Sequence, residues 1–168
     1  MEPSFEIIDR DLAGRIGRLK TGHGTIETPT LLPVINPNKL VIAPKDLKGY
    51  GAEALITNSY ILWKDYRQEV IDSGVHNFLD YNGPVMTDSG AFQLMQYGDI
   101  DVSNRDIIKF QEKIGVDIGV ILDIPVSSQE KRDMRKGVLE TIKGLKRRRS
   151  IFGNRMSCGP ARSKAGFI

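Results

Sequence analysis

Short apolar runs recur along the chain, and a segment with helical spacing of its apolar residues follows each run. The runs lie at residues 30–35, 54–57, 85–87 and 118–122. Each is short and continuously apolar, which is typical of a strand covered on both faces, whereas the segments between them have the period of amphipathic helices. Four strand-then-helix units in series predict a parallel sheet with right-handed crossovers.

Cap and turn residues predict the boundaries of the helices. Pro44 stands near the start of the first helix and Gly51 follows its end. Gly74 ends the second helix, residues 76–82 are expected to form a loop, and Ser103 is the expected N-cap of the third helix. The fourth helix starts near residue 128. The apolar stripes of the second and fourth helices consist of Trp63, Tyr66, Val70 and Ile71, and of Met134, Val138, Ile142 and Leu145.

The two ends of the chain differ from this repeating region. Phe5 and Ile7 alternate with polar residues and residues 21–24 supply a turn, so residues 1–29 predict one or two antiparallel β-hairpins. Residues 150–168 have neither period and form an irregular basic tail, which we interpret as the product of a truncation or frameshift. We therefore divide the chain into residues 1–149, with 1–29 as a lead-in, and residues 150–168.

Polar residues follow three of the four predicted strands. They are Asn58 and Ser59, Asp88 and Ser89, and Asp123. In a (β/α)8 barrel the carboxyl ends of the strands share one face, so two carboxylates and an amide would converge there. The fold class is thus α/β, the N-terminal half of a (β/α)8 TIM barrel with four β/α units, with a four-stranded open sheet as the alternative. The sequence has no GxGxxG or Walker motif, so it gives no support to a nucleotide-cofactor fold.

Composition is that of a soluble globular protein, with 40% apolar and 27% charged residues. Without a basic, apolar leader the expected compartment is the cytoplasm, and no membrane partner is expected. Cys158 is the single cysteine and predicts neither an internal disulfide nor a metal site. We interpret His23 and His76, which are far apart in sequence, as turn or packing residues rather than ligands.

Positive charge is concentrated at the end of the chain. Residues 1–130 contain 12 Lys and Arg against 19 Asp and Glu, whereas residues 131–168 contain 12 against 2. Such a segment could contact phosphates, or it could be a solvated helix face that ends in the cations of residues 146–149.

The chemistry is expected around the Asp-Ser-Gly sequence after the third strand. Asp88 would lie at the tip of a buried strand, and Gly90 would permit the sharp turn that follows. Phe92 and Gln93 would then lie beside the carboxylate, and an aromatic face with an amide suits a flat heterocyclic base. An isolated Asp-Ser-Gly more often just closes an ordinary turn, and the wider context favours the site.

Several ordered runs resemble the N-terminal half of the tRNA-guanine transglycosylases, nearest to the archaeal enzymes of archaeosine synthesis. The runs lie in order between about residues 5 and 125, at residues 15–19, 27–37, 51–54, 56–60, 86–94 and 122–125. The resemblance implies a zinc-containing (β/α)8 barrel that exchanges a guanine in the tRNA D-loop, at position 15 in the archaeal enzymes, for 7-cyano-7-deazaguanine. Its partners would be tRNA and a 7-deazaguanine-type base.

The resemblance also assigns roles to individual residues. It implies that Asp88 is the catalytic aspartate, that Asp123 holds the base edge and that Phe92 stacks on the base, with Ser89 and Gln93 as further substrate-binding residues. Base exchange with retention proceeds through a covalent ribosyl-enzyme, as in retaining glycosidases. The zinc ligands are expected beyond residue 168, so no metal ligand is assigned in this chain.

Two questions stay open at the level of sequence. Asp88 is either the nucleophile or the general acid/base, with a second aspartate from the C-terminal half taking the other role. The chain is either a transglycosylase sequence, complete or split, that works on tRNA, or a non-catalytic remnant or subunit that pairs with a separate C-terminal half. A homodimer is a further possible assembly. An unrelated α/β enzyme that binds a purine-like ligand is a third reading.

Overall fold

The computed structural model of the chain describes residues 3–90, 102–121, 123 and 131–152. Three antiparallel strands come first: β1 (Ser4–Asp11), β2 (Gly14–Thr21) and β3 (Gly24–Thr28), paired in the order β1-β2-β3. The second turn is at Gly22 and His23, as expected from the sequence. This meander confirms the prediction of hairpins in the first 29 residues.

A parallel sheet follows, built from β4 (Val34–Ile35), β5 (Leu55–Asn58), β6 (Val85–Asp88) and β7 (Ile118–Gly119). All pairs are parallel and the spatial order β4-β5-β6-β7 follows the chain. The predicted strands at 30–35 and 118–122 were too long, because hydrogen-bonded pairing covers only two residues of each.

Helices occupy the connections between the parallel strands. They are α1 (Pro44–Leu47), which continues into a 3-10 turn (Lys48–Tyr50), α2 (Ser59–Asp65), α3 (Arg67–Ser73), α4 (Val75–Phe78), α5 (Asn104–Lys113) and α6 (Lys131–Phe152). Gly51 ends the first with φ 88°, and the Ser103 side chain caps α5 by accepting from the Asp106 N–H. Among the residues described, no helix combines the length and the apolarity needed to cross a membrane.

Three helical predictions need correction. The second helix is broken at Tyr66, whose φ of −132° is not helical, so it forms α2 and α3. The expected loop at residues 76–82 contains part of α4. The fourth helix continues to Phe152, past the predicted border at residue 149.

One face of the parallel sheet is covered by helices. Leu55 and Val85 point to this face and are fully buried against apolar side chains of the helices. The helix residues of this core are Leu62, Val70, Val75, Phe110 and Ile114. Because side chains alternate along a strand, Ile56, Asn58, Met86 and Asp88 belong to the opposite face, which is the interior of a barrel.

The meander covers the amino-terminal end of that interior face. Ile26 of β3 is 2% exposed and forms an apolar cluster with Ala54 and Ile118. Met86 packs against this cluster. The opposite, carboxyl end of the strands carries Asn58 and Asp88. The meander therefore leaves the polar end of the sheet uncovered.

The apolar stripe of α6 is not buried within the part of the chain that the structure describes. Met134 and Val138 are 53% and 59% exposed, and Ile142 is also exposed. The described residues contain no strand after β7 on which this stripe could pack. Leu145, the last member of the predicted stripe, has a side chain outside the described set.

Strand order identifies the fold class. A doubly wound sheet reverses its strand order at a switch point, whereas strands of a (β/α) barrel follow one another around the ring. The order β4-β5-β6-β7 is of the second kind. The α/β class and the partial barrel expected from the sequence are confirmed.

Candidate active site

Asp88 and Asn58 face each other at the carboxyl ends of two neighbouring strands. They are register partners in the parallel pairing of β5 and β6. The Asn58 amide Nδ2 donates to Asp88 Oδ1 at 2.9 Å, while its own Oδ1 accepts from the Ile61 N–H and caps α2. A single buried side chain thus joins the start of a helix to the carboxylate. This confirms that the expected amide and carboxylate converge.

The turn after β6 supplies a second donor to the same carboxylate. Gly90 has φ 84°, a conformation that L side chains rarely adopt, and its N–H donates to Asp88 Oδ1 at 2.7 Å. The requirement for glycine here was predicted from the sequence. Within the described part of the chain, Asp88 Oδ1 accepts both of these hydrogen bonds, from Asn58 and from Gly90.

Ser59 and Ser89 are buried beside this turn. The Ser59 hydroxyl donates to the Asp88 carbonyl oxygen, so the backbone at the strand tip is held as well as the side chain. Ser89, a predicted substrate-binding residue, is 2% exposed. Its place next to Asp88 is as expected, and its role stays a prediction.

The surroundings of Asp88 shift the pKa of its carboxyl group. Partial desolvation is the largest influence and raises the pKa of the Asp88 carboxyl above its usual range, although the Gly90 N–H and the Asn58 amide oppose it. The negative charge of Asp123 raises this pKa further. Asp123 is itself exposed, and it lies near enough to Asp88 for their charges to interact.

Two predicted site residues, Phe92 and Gln93, lie outside the described residues. The structure therefore brings together Asp88, Asn58, Ser89 and, through its charge, Asp123. The contacts of Phe92 and Gln93 with a base stay predictions.

A buried polar network supports the strand that carries Asp88. The Thr87 hydroxyl donates to Gln111 Oε1 at 2.9 Å, and Gln111 Nε2 donates to the Val120 carbonyl at 3.0 Å. Gln111 is fully buried on α5. One side chain therefore connects β6 to the segment after β7.

A second polar cluster lies at the other end of the sheet. Asp117 accepts from His23 and from His76, each at 3.0 Å, and the two imidazole rings stack with centroids 3.6 Å apart. His23 is in a turn, as predicted, but sequence reasoning missed its contact with His76. The three residues are far apart in the chain, and no spacing motif joins them.

The described residues offer no cysteine ligand for the zinc that the resemblance implies. The single cysteine of the chain is Cys158, which is not among them, so they offer no thiolate. A cysteine-based zinc site does not fit these residues, and no chemical step at Asp88 depends on it here.

Fold and site together define a class of protein: a β/α barrel segment with a partly desolvated carboxylate at the carboxyl end of a strand. The family model described as "Queuine tRNA-ribosyltransferase" matches residues 10–163. The chain belongs to this family.

Named relatives are consistent with that membership. The chain is 54% identical over 127 residues to a tRNA-guanine(15) transglycosylase of Methanosarcina barkeri, covering 74% of this chain and 26% of the relative. The corresponding protein of Pyrococcus furiosus is 49% identical over 150 residues, covering 88% and 26%. That of Nanoarchaeum equitans is 51% identical over 146 residues, covering 87% and 35%. The chain thus spans about a quarter to a third of the length of these relatives.

Proposed function

We propose that this chain supplies the Asp88 half of a tRNA-guanine transglycosylase active site. The reaction replaces a guanine of tRNA, at position 15 of the D-loop, by 7-cyano-7-deazaguanine. The observation that carries the proposal is Asp88 at the strand tip, held by Asn58 and Gly90 and partly desolvated. Relatives named tRNA-guanine(15) transglycosylase support the choice of tRNA and of position 15.

The exchange needs a nucleophile and a proton carrier. A carboxylate attacks C1′ of the ribose, the bond from C1′ to the guanine nitrogen breaks, and the departing guanine takes up a proton. The incoming base then loses a proton and attacks C1′, which releases the carboxylate. Both steps invert C1′, so the overall result is retention. Each proton taken from the enzyme in the first step returns in the second.

We assign Asp88 the proton-carrying role. A general acid works best when its pKa lies near the operating pH, and burial raises the pKa of Asp88 in that direction. The Asn58 and Gly90 donors occupy one oxygen and fix the orientation of the carboxyl group. In this proposal the attacking carboxylate is a second aspartate, from a segment that completes the barrel.

The remaining assigned residues would bind the base. Asp123 would accept from ring N–H groups at the base edge, and Phe92 would stack on the ring. Ser89 and Gln93 would complete the contacts. The exposure of Asp123 and its electrostatic interaction with Asp88 support a position for the base between the two carboxylates.

Completion of the barrel is part of the proposal. In the described residues β4 and β7 are edge strands. Val34 of β4 is 77% exposed, and Leu31, which precedes this strand, is 82% exposed. Apolar side chains on an open edge favour pairing with further strands. We propose that these strands, the zinc ligands and the second aspartate come from a C-terminal half, whether in one polypeptide or in a separate one.

A chimera tests the function directly. The Pyrococcus furiosus relative would have its matching segment, 150 residues in the alignment, replaced by that of this chain. Incorporation of labelled guanine into tRNA is then measured. We expect exchange in the chimera and a loss of at least about a thousandfold with Asp88→Ala, because acid-base and nucleophilic roles each contribute factors of this order.

The control substitution is Asp80→Ala, which removes an exposed carboxylate. It should leave exchange within about threefold of the chimera. Near-normal exchange with Asp88→Ala would exclude the catalytic role of Asp88. A folded chimera that exchanges no base would contradict the proposed function of the chain.

A further inference from the structure

His23, His76 and Asp117 bring three metal-binding groups to one point. His23 Nδ1 lies 3.0 Å from Asp117 Oδ1, and His76 Nε2 lies 3.0 Å from Asp117 Oδ2. The candidate ligand atoms all lie within 4.8 Å of one another. Two ligands at about 2.1 Å from one tetrahedral ion are about 3.4 Å apart, so each nitrogen would need to move only a few tenths of an ångström from its carboxylate oxygen to bind such an ion.

The carboxylate is held in place by the backbone as well as by the imidazoles. The His23 N–H donates to Oδ1 at 3.2 Å and the Val85 N–H donates to Oδ2 at 3.0 Å. Burial by itself would raise the pKa of Asp117, but the hydrogen bonds from His76, Val85 and His23 outweigh it and lower the pKa to about 2. Asp117 is therefore ionised at neutral pH and fixed in orientation. A carboxylate must be deprotonated to bind a metal ion.

The two imidazoles are arranged so that one cation could bind a nitrogen of each. Their rings stack at 3.6 Å with an interplanar angle of 25°, and both present a nitrogen to the same carboxylate. Two imidazolium rings at this separation would repel each other. One divalent ion that binds a nitrogen of each neutral ring and an oxygen of the carboxylate would interact favourably with all three groups without that repulsion.

Solvent can reach this point. The His23 side chain is 45% exposed, and both histidines line an open cavity of about 750 Å³. An ion could enter from this cavity and keep water in its remaining coordination positions.

We propose that His23, His76 and Asp117 form a site for a divalent transition-metal ion of the Zn²⁺ or Co²⁺ type. Two imidazoles with one carboxylate suit such ions, whereas Mg²⁺ prefers an all-oxygen shell. The site lies at the amino-terminal end of β6, and Asp88 lies at the other end. The bound ion would connect the β2–β3 turn to α4 and to the residue before β7. Its role is to fix the meander on the sheet.

The composition of the chain makes this proposal easy to test. It contains only two histidines, and both belong to the site. The full 168-residue chain, freed of any polyhistidine tag, would be titrated with Co²⁺ and Zn²⁺ in a calorimeter. Visible absorption would report Co²⁺ coordination, and imidazole NMR signals would be followed with Zn²⁺. We expect one ion per chain and simultaneous shifts of both imidazoles.

His23→Ala is the decisive variant because it removes an imidazole from an exposed turn and leaves the backbone donor to Asp117 in place. We expect binding to weaken by at least tenfold. Asp80→Asn, which removes another carboxylate of the same cavity, and Cys158→Ser, which removes the only thiol, should both keep the parent affinity.

Two outcomes would overturn the site. One is no binding of Co²⁺ or Zn²⁺ by the parent chain at about 100 µM ion, which is weak for a built transition-metal site. The other is equal affinity in His23→Ala. His23→Ala in the full-length chimera is an independent test. It should lower the number of metal ions bound per chain by one, and an unchanged number would also contradict the proposal.

Discussion

Asp88 is subject to two opposing influences at the level of the single residue. Desolvation favours its neutral form, while the Gly90 N–H and the Asn58 amide favour the carboxylate. Desolvation is the larger of these and the net pKa is raised. The ionised carboxylate in this partly desolvated position lowers the stability of the folded protein at neutral pH, as catalytic groups commonly do.

This imbalance predicts a stability gain for Asp88→Asn. A raised folded-state pKa means that the folded protein binds its proton more tightly than the unfolded chain, whose value is about 3.9. The favourable contribution is thus complete below that pH and is lost as the pH rises through the folded pKa. The variant should be more stable than the parent at pH 7, and the difference should narrow below about pH 4.

Urea unfolding of the chimera at several pH values measures this effect. Asp72→Asn, at an exposed position, is the control and should change the free energy of unfolding by less than about 0.5 kcal/mol. A gain for Asp88→Asn that is the same at pH 3.5 and pH 7 would contradict the argument from desolvation.

Asp123 gives a different prediction at this scale. Asp123→Asn should weaken the affinity for the base more than it lowers kcat, because a base-edge carboxylate accepts hydrogen bonds whose loss leaves donors of the base unpaired. The expected weakening is about ten- to a hundredfold, which corresponds to hydrogen bonds of a charged group. Equal base affinity in variant and chimera, measured by inhibition with free base, would exclude this role.

Sequence reasoning predicted that Asn58 and Asp88 lie together, but it missed the contact of Asp117 with the two histidines. Asn58 and Asp88 each end a strand, and parallel strands in register bring their ends together whatever the rest of the fold does. The contact of Asp117 with His23 depends on where the meander lies against the sheet. That position results from the packing of Ile26 on Ala54 and Ile118, which no local pattern records.

At the scale of elements, the break at Tyr66 shows the limit of periodicity. The apolar stripe from Trp63 to Ile71 is continuous in sequence, so a single helix was expected. In the structure the Tyr66 hydroxyl donates to Asn38 Oδ1 at 2.6 Å and its ring packs on Phe78. The helix is therefore interrupted at a residue whose side chain makes tertiary contacts, although the apolar stripe continues from α2 into α3.

The contact between α5 and β6 leads to a prediction for Gln111. Gln111→Leu keeps the volume of the side chain but removes the acceptor of the Thr87 hydroxyl and the donor to the Val120 carbonyl. We expect a loss of about 2–4 kcal/mol in the free energy of unfolding, since each buried group left unpaired costs about 1–3 kcal/mol.

Chemical denaturation of the chimera measures the loss, and Glu112→Gln, one residue along at an exposed position, is the matched control. Adding Thr87→Val to Gln111→Leu should recover part of the loss, because both partners of that hydrogen bond are then apolar. A Gln111→Leu variant as stable as the control would mean that the network contributes nothing.

For the whole molecule, the exposed apolar surface predicts self-association of the isolated chain. Val34 on the edge strand β4 and Val41 in the segment that follows it are 77% and 86% exposed, and Met134, Val138 and Ile142 of α6 are also exposed. Exposed apolar residues beside an open sheet edge favour association between copies. We expect sedimentation to show dimers or larger species and heating to give a broad, concentration-dependent transition.

A pair of matched variants locates the contact. Val34→Lys, on the edge strand, should shift the chain toward monomer, whereas Leu12→Lys, at the fully exposed β1–β2 turn, should not. A monomeric parent with a sharp, concentration-independent transition would show that four parallel strands suffice for a stable fold.

Strand order has a further consequence for how this protein is made. Since β4, β5, β6 and β7 are neighbours in the order of the chain, each strand that leaves the ribosome finds its partner already present. Pairing then requires closure of only one crossover at a time, rather than of a loop that spans several β/α units. Synthesis from the N-terminus can therefore add one β/α layer after another, and the growing edge at β7 is the place where the next strand of a longer chain would dock.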